Sequence, residues 1–184
     1  MTKTPLHPTL EELLEKLREA REGRGMESLR LEQVRRYREL VAESPTFTPA
    51  LLELGRLLQL TDEPGVETEK AFVEIQRLLE QAVEVSGRAA ALVVELGYFL
   101  DTIRNSSEKA TPLYEEGARK ALETLEDAWA GLLRAWVHER TKESLKKALE
   151  LSELAEKVFP DSGRIQGVVH DARNTAIHDG LLKP

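Results

Sequence analysis

Cysteine is missing from the sequence, aromatic residues are scarce, and long apolar runs are absent. The lack of cysteine excludes disulfides, zinc sites with thiolate ligands and cysteine nucleophiles. Aromatic residues make up only 5% of the chain, whereas sheet-based folds are enriched in them. No segment reaches the roughly 18 consecutive apolar residues that a membrane span requires, and the N-terminal residues lack the apolar core of a signal peptide. We therefore expect a cytoplasmic protein that makes no membrane contact.

The abundant residues are leucine, alanine, glutamate, lysine and arginine, and 32% of the 184 residues are charged. This composition is typical of long solvated helices, and we predict an all-α fold. The formal net charge of −7 disfavours nucleic acid as a partner, because the phosphate backbone would be repelled. The densest basic run, Arg35, Arg36 and Arg38, is interrupted by Tyr37 and followed by Glu39, as on a solvated helix face.

We predict neither a metal site nor a cofactor. His170 and His178 lie near two aspartates, but they are eight residues apart in the sequence. On a straight helix that spacing separates them by about 12 Å along the axis, which one ion cannot bridge. The sequence also contains no glycine-rich phosphate loop and no zinc-protease motif.

A repeated pattern organises the middle of the chain. Leu51, Leu54-Gly55 and Leu58 recur as Val93, Leu96-Gly97 and Leu100, and Trp129, Leu132, Leu133 and Trp136 form a third set. The helix after the third set carries Ala148, Ser152, Ala155 and Pro160. Together these spacings resemble the tetratricopeptide (TPR) pattern, W-x2-L-G-x2-Y followed by A-x3-F and a terminal proline. The glycines predict close helix contacts, because glycine inside a helix otherwise costs about 1 kcal/mol relative to alanine.

The resemblance implies a right-handed superhelix of three to four helical hairpins, since a single hairpin cannot bury its own apolar face. We expect a disordered lead-in at 1–8, a single TPR-like domain at 9–179 and a tail at 180–184. The domain divides into a degenerate repeat at 9–45, repeats at 46–86, 87–125 and 126–161, and a capping helix at 162–179. Thr9 and Glu12 predict a capping box at the first helix, which Leu10, Leu13, Leu14 and Leu17 would line on one face.

TPR proteins bind a partner peptide or protein in a concave groove, so the resemblance implies an interaction adaptor that is not an enzyme. The family rule places nine residues in that groove: Leu52, Arg56, Gln59, Val94, Tyr98, Asp101, Ala130, Arg134 and His138. The lysine and asparagine pattern that clamps a C-terminal carboxylate in some TPR domains is missing from these positions, so chaperone tails are not expected partners. The plainer alternative is that these residues are simply exposed helix positions.

Two other functions stay open. Arg173 to His178 resembles the R-x4-6-H motif of HEPN domains, many of which are metal-independent ribonucleases. That resemblance implies catalysis by Arg173 and His178 on RNA, with the arginine stabilising charge on phosphorus and the histidine moving a proton. Alternatively, the protein would be a subunit that associates with itself through its end repeats.

Overall fold

The computed structural model describes residues 7–22 and 29–183. These residues form eight helices and no strands, which confirms the all-α prediction. The helices are Leu10–Arg21 (α1), Arg30–Glu43 (α2), Thr48–Gln59 (α3), Thr68–Val85 (α4), Ala90–Thr102 (α5), Ser107–Glu139 (α6), Lys142–Val158 (α7) and Gly163–His178 (α8). Most of the predicted lead-in, residues 1–6, lies outside the described residues. None of the described helices is both long enough and apolar enough to cross a membrane.

The predicted capping box of α1 is confirmed. The Thr9 hydroxyl accepts a hydrogen bond from the Glu12 amide at 3.2 Å, and the Glu12 carboxylate accepts one from the Thr9 amide at 2.7 Å. The buried side of α1 consists of Leu13, Leu17 and Ala20. Leu10, at 64% exposure, and Leu14, at 45%, face solvent, so their predicted burial is wrong.

Contacts within the chain divide it into two compact units, residues 1–118 and 119–184, called here the first and second unit. In the first unit, each helix from α1 to α5 packs on the next one along the chain, as stacked hairpins require. The second unit contains the end of α6 and the α7–α8 pair, in which the two helices pack on each other. Each unit has its own apolar core.

The main difference from the sequence prediction lies in α6, which runs without interruption through 33 residues. The repeats predicted at 87–125 and 126–161 would require a turn between Leu125 and Asp127, and the structure has helix there. The segment from Ala121 to Asp127 contains no proline or glycine and is rich in strong helix formers, so nothing local ends the helix.

The glycines of the Leu-Gly pairs differ in how closely they are packed. A β-carbon placed on Gly97 would lie 3.2 Å from the Tyr114 ring, and one on Gly117 would overlap the Val94 side chain. At these two positions α5 and α6 approach each other closely, as the sequence predicts for Gly97. A β-carbon on Gly55 would lie 3.4 Å from Leu79, an ordinary packing distance. Close approach therefore explains Gly97 and Gly117 and does not explain Gly55.

Candidate functional site

An ion pair joins α3 to α5 on the face that the sequence predicts as a groove. Arg56 donates two hydrogen bonds to the Glu95 carboxylate, at 2.7 and 2.8 Å. These bonds raise the pKa of the Arg56 guanidinium, with burial acting in the opposite direction. A bidentate contact of this kind fixes both the distance and the register of the two helices. Arg56 thus holds the face together and is already paired with a carboxylate.

The other two predicted residues of α3 also have partners within the chain. Leu52 is half-buried and packs against the core of the first unit. The Gln59 side-chain amide donates a hydrogen bond to the Gly55 carbonyl oxygen at 3.2 Å. The α3 part of the face is therefore held in place by contacts to its own fold.

The α5 part of the face exposes a large aromatic ring. All the aromatic residues of the chain lie within the described residues, and Tyr98, at 54% exposure, is the only one that is exposed. Val94 lies one helical turn before it, is 39% exposed and packs over Gly117. Asp101, three residues after Tyr98, accepts a hydrogen bond from the Ser107 hydroxyl at 2.6 Å. The three predicted residues of α5 thus share one side of the helix.

A second tyrosine lies beside this group. The Tyr114 ring of α6 covers Gly97 and is half-buried. Burial raises the pKa of the Tyr114 phenol, and the nearby Asp101 carboxylate and Tyr98 phenol raise it further. The measured contact of the Tyr114 ring is with Gly97, the residue next to Tyr98 in α5.

Two further ion pairs link elements of the first unit. Arg21 of α1 donates to Glu53 of α3 at 3.1 Å. Arg88, in the turn before α5, donates to both oxygens of Glu116 in α6 at 2.5 and 2.8 Å. With the Arg56–Glu95 pair, they link α1 to α3, α3 to α5, and the turn before α5 to α6.

The three residues predicted in the third repeat lie in the second unit, and one of these predictions is wrong. Ala130 is fully buried in the core of that unit, because α6 turns this side toward α7 and α8. Its methyl group cannot contact a partner. Arg134 and His138 are exposed and line a surface depression of ≈ 330 Å³. The other residues lining the depression are Val137, Arg140, Val168, Asp171 and Thr175.

The structure gives Arg173 and His178 different partners. Arg173 donates to both oxygens of Glu156 in α7, at 2.6 and 2.8 Å. The His178 ring nitrogen lies 3.0 Å from the Arg140 guanidinium and 2.9 Å from the Asp179 carboxylate. Each side chain thus has a structural role at one end of α8, and the HEPN resemblance is not confirmed. In the part of the chain that the structure describes, no group of three acidic or histidine residues could hold a metal ion.

Sequence reasoning missed Glu95 and Tyr114 as parts of this face. Glu95 is 39 residues from Arg56, so its role depends on how neighbouring hairpins stack, and no local pattern shows that. Tyr114 did carry a signal, because it falls four residues after Ala110, at the aromatic position of the family's second helix. The ring packs on Gly97, which directly precedes the exposed Tyr98.

Comparison with known proteins agrees with this architecture. The model of the Myxococcota tetratricopeptide repeat protein family matches residues 5–87. A protein from Myxococcus xanthus, described as an uncharacterized 18.1 kDa protein in the carS 3' region, is 35% identical over 138 residues. The alignment covers 74% of this chain and 79% of that protein. With its stacked hairpins and Leu-Gly pairs, the chain belongs to the Myxococcota tetratricopeptide repeat protein family.

Proposed function

We propose that the chain is a protein-interaction module in which the α3–α5 face of the first unit binds a segment of a partner protein, with Tyr98 as its anchor. The observation that carries this proposal is the exposure of Tyr98 in a chain whose other aromatic residues are buried or half-buried. Tyrosine offers a large contact area and one polar group at a small entropic cost, which is why it is frequent at binding hot spots. Membership of a repeat family that suggests protein interaction supports the same function.

The packing around Tyr98 favours binding because the face needs little ordering. Arg56 and Glu95 fix α3 beside α5, and close contact between Gly97 and Tyr114 fixes α5 beside α6. A surface that already has its bound shape avoids the cost of immobilising side chains and loops when the partner arrives. Val94 and Leu52 would supply apolar contact around the anchor.

The exposed pair Arg134 and His138 would provide a second contact site, in the second unit. Both line the depression beside Val137 and Val168, where an arginine and a histidine lie next to apolar side chains. A cytoplasmic location, the lack of catalytic activity and self-association through the end repeats stay predictions from the sequence. Arg173 and His178, which are bound to Glu156 and Asp179, give the ribonuclease alternative no support.

The first experiment is site-specific photo-crosslinking in the native host. A benzophenone amino acid would replace Tyr98 in one version of the protein and Val73 of α4 in the other, since Val73 is 56% exposed and thus matches Tyr98. We expect a crosslinked protein with the probe at position 98 and none with the probe at 73. The same product from both positions, or none from position 98, would reject the proposed face.

The second experiment measures the contribution of the anchor. With the crosslinked partner purified, Tyr98→Ala should weaken binding at least about tenfold, the loss expected for an aromatic hot spot. Val73→Ala should leave the affinity unchanged. Equal affinities of all three proteins would show that Tyr98 is merely exposed.

A further inference from the structure

Asp101 is the one half-buried carboxylate in the described part of the first unit that forms no ion pair with arginine. Among the described residues of that unit, seven carboxylate side chains are half-buried. Six of them form ion pairs with arginine: Glu32 with Arg35 and Arg36, Glu53 with Arg21, Glu63 and Glu74 with Arg38, Glu95 with Arg56, and Glu116 with Arg88. Asp101 is the seventh, and its hydrogen-bond partner is the neutral hydroxyl of Ser107.

The lack of an arginine partner leaves the charge of Asp101 without compensation inside the described part of the chain. A carboxylate that loses part of its hydration needs a compensating charge or several hydrogen bonds. One hydroxyl donor satisfies only a part of the acceptor capacity of a carboxylate, which can accept about four hydrogen bonds. Asp101 therefore keeps acceptor capacity and a negative charge that no arginine of the described chain neutralises.

The surroundings of Asp101 are those of a cation site. Tyr98 lies three residues earlier on the same side of α5, with its ring exposed. The Tyr114 ring of α6 is half-buried and packs against Gly97, the residue that directly precedes Tyr98. Aromatic faces attract ammonium and guanidinium groups, most strongly where a carboxylate is also present and water is partly excluded.

We infer that the Tyr98, Asp101 and Tyr114 side chains bind a lysine or arginine side chain of the partner, with its charged end on the Asp101 carboxylate and its aliphatic stem against the Tyr98 ring. This inference rests on the proposed function, because it assumes that the α5 face is where the partner binds. It adds the chemistry of the partner, which is an apolar segment that carries one basic side chain. That side chain would pair with Asp101 as arginines of the chain pair with the other half-buried carboxylates described in this unit.

The test is selection from a random 12-residue peptide library displayed on phage, carried out against four versions of the full chain. They are the wild type, Asp101→Asn, Tyr98→Ala and the control Glu116→Gln. Asparagine is isosteric with aspartate and can still accept the hydrogen bond from Ser107, so Asp101→Asn removes the charge and keeps the local fold. Glu116 is a half-buried carboxylate that Arg88 already neutralises, so the control removes a charge that is not offered to a partner.

The expected result is that wild type and Glu116→Gln enrich peptides with lysine or arginine at one fixed position beside an apolar residue. Asp101→Asn should lose the preference for a basic residue, and Tyr98→Ala should lose the whole set. A synthetic copy of the enriched peptide should bind Asp101→Asn at least tenfold more weakly than wild type. Replacing its lysine by norleucine should cost a similar factor with wild type and little with Asp101→Asn.

Two contrary outcomes separate this inference from the proposed function. Peptides that depend on Tyr98 but carry no basic residue, and that bind wild type and Asp101→Asn equally, would overturn the cation site and leave the interaction face standing. Peptides that bind Tyr98→Ala as well as wild type would overturn both.

Discussion

The two units share an arginine in a left-handed turn and differ in how closely their core helices approach each other. Arg88 precedes α5 in the first unit and Arg140 precedes α7 in the second, and both have left-handed backbone conformations, with φ of 61° and 54°. Each arginine binds a carboxylate, Arg88 that of Glu116 and Arg140 that of Asp179 at 2.7 and 2.9 Å. Glycine would adopt this conformation without strain. At both turns the arginine side chain therefore adds an ion pair that glycine could not form, and this ion pair links the turn to a more distant part of its own unit.

The cores differ in how their helices approach each other. In the first unit Gly97 and Gly117 bring α5 and α6 into close contact. In the second unit a β-carbon on Gly131 would have no neighbour within 4 Å. Both cores contain an edge-to-face aromatic pair, Phe72 with Phe99 in the first unit and Trp129 with Phe159 in the second, so the difference lies in the glycines. The comparison teaches that a helical glycine in this chain has a packing role only where another helix lies directly against it.

The largest expected effect comes from filling the contact between α5 and α6. Gly117→Ala should lower the free energy of unfolding by about 1 to 2 kcal/mol, because its methyl group would overlap Val94 and approach the Ala90 carbonyl oxygen. This cost exceeds the roughly 1 kcal/mol that alanine gains in helix propensity. Urea unfolding followed by circular dichroism measures the change. Adding Val94→Ala should recover part of the loss, since it removes the overlapping atoms. A variant more stable than wild type by about 1 kcal/mol, the full difference in helix propensity, would show that α5 and α6 are not in close contact.

The same substitution in the second unit should have the opposite sign. Gly131→Ala meets no neighbouring atom and should stabilise the protein by about 1 kcal/mol, the difference in helix propensity. Both tryptophans lie in the second unit, so the midpoint of tryptophan fluorescence in urea reports on it selectively. A destabilised variant would mean that Gly131 has a packing role and would remove the contrast with Gly117.

A smaller effect isolates the backbone conformation at the shared turn. Arg140→Gly and Arg140→Ala both lose the contact with Asp179, but only alanine is strained at a φ of 54°. We expect the glycine variant to be more stable by about 0.5 to 1 kcal/mol, after the larger entropy of unfolded glycine is subtracted. The equivalent pair at Arg88 should give a similar difference in thermal unfolding. A different stability gap between the glycine and alanine variants at the two turns would show that the two arginine turns are not equivalent.

The smallest effect is a pH dependence in the second unit. Hydrogen bonds from Arg140, and then from His178, hold the pKa of Asp179 well below its ordinary value of 3.8. A lowered carboxyl pKa gives stability that is present above the ordinary pKa and is lost as the pH falls through the folded pKa. The difference in urea midpoint between wild type and Asp179→Asn should therefore be present at about pH 5 and shrink below about pH 4. A difference as large at pH 2 as at pH 5 would contradict this assignment.

Features governed by neighbouring residues could be predicted from the sequence. The capping box at Thr9 and the Leu-Gly spacing at Gly97 depend on contacts within one helix or one hairpin, and both have the expected geometry. Leu10 and Leu14 could not be separated from Leu13 and Leu17, because a leucine stripe is wider than the side of α1 that its neighbour covers.

Features that depend on how elements pack could be predicted only in part. The family pattern led to Tyr98 and Asp101, which the structure places on one side of α5. It also led to Ala130, which is buried, because the pattern assumes a separate helix where α6 continues without a turn. The pairing of Arg56 with Glu95 needs the stacking of two hairpins, which no spacing within one repeat reveals.

The continuity of α6 has a consequence for how the protein opens. The helix is 33 residues long, about 50 Å, and it contributes to both units. Helix formation propagates residue by residue, and fraying that enters α6 from one end meets no turn or cap at which it must stop. The point where fraying ends is then set by the balance between the two units and shifts along α6 when either is weakened. Amide hydrogen exchange between Ala118 and Asp127 would follow that moving boundary.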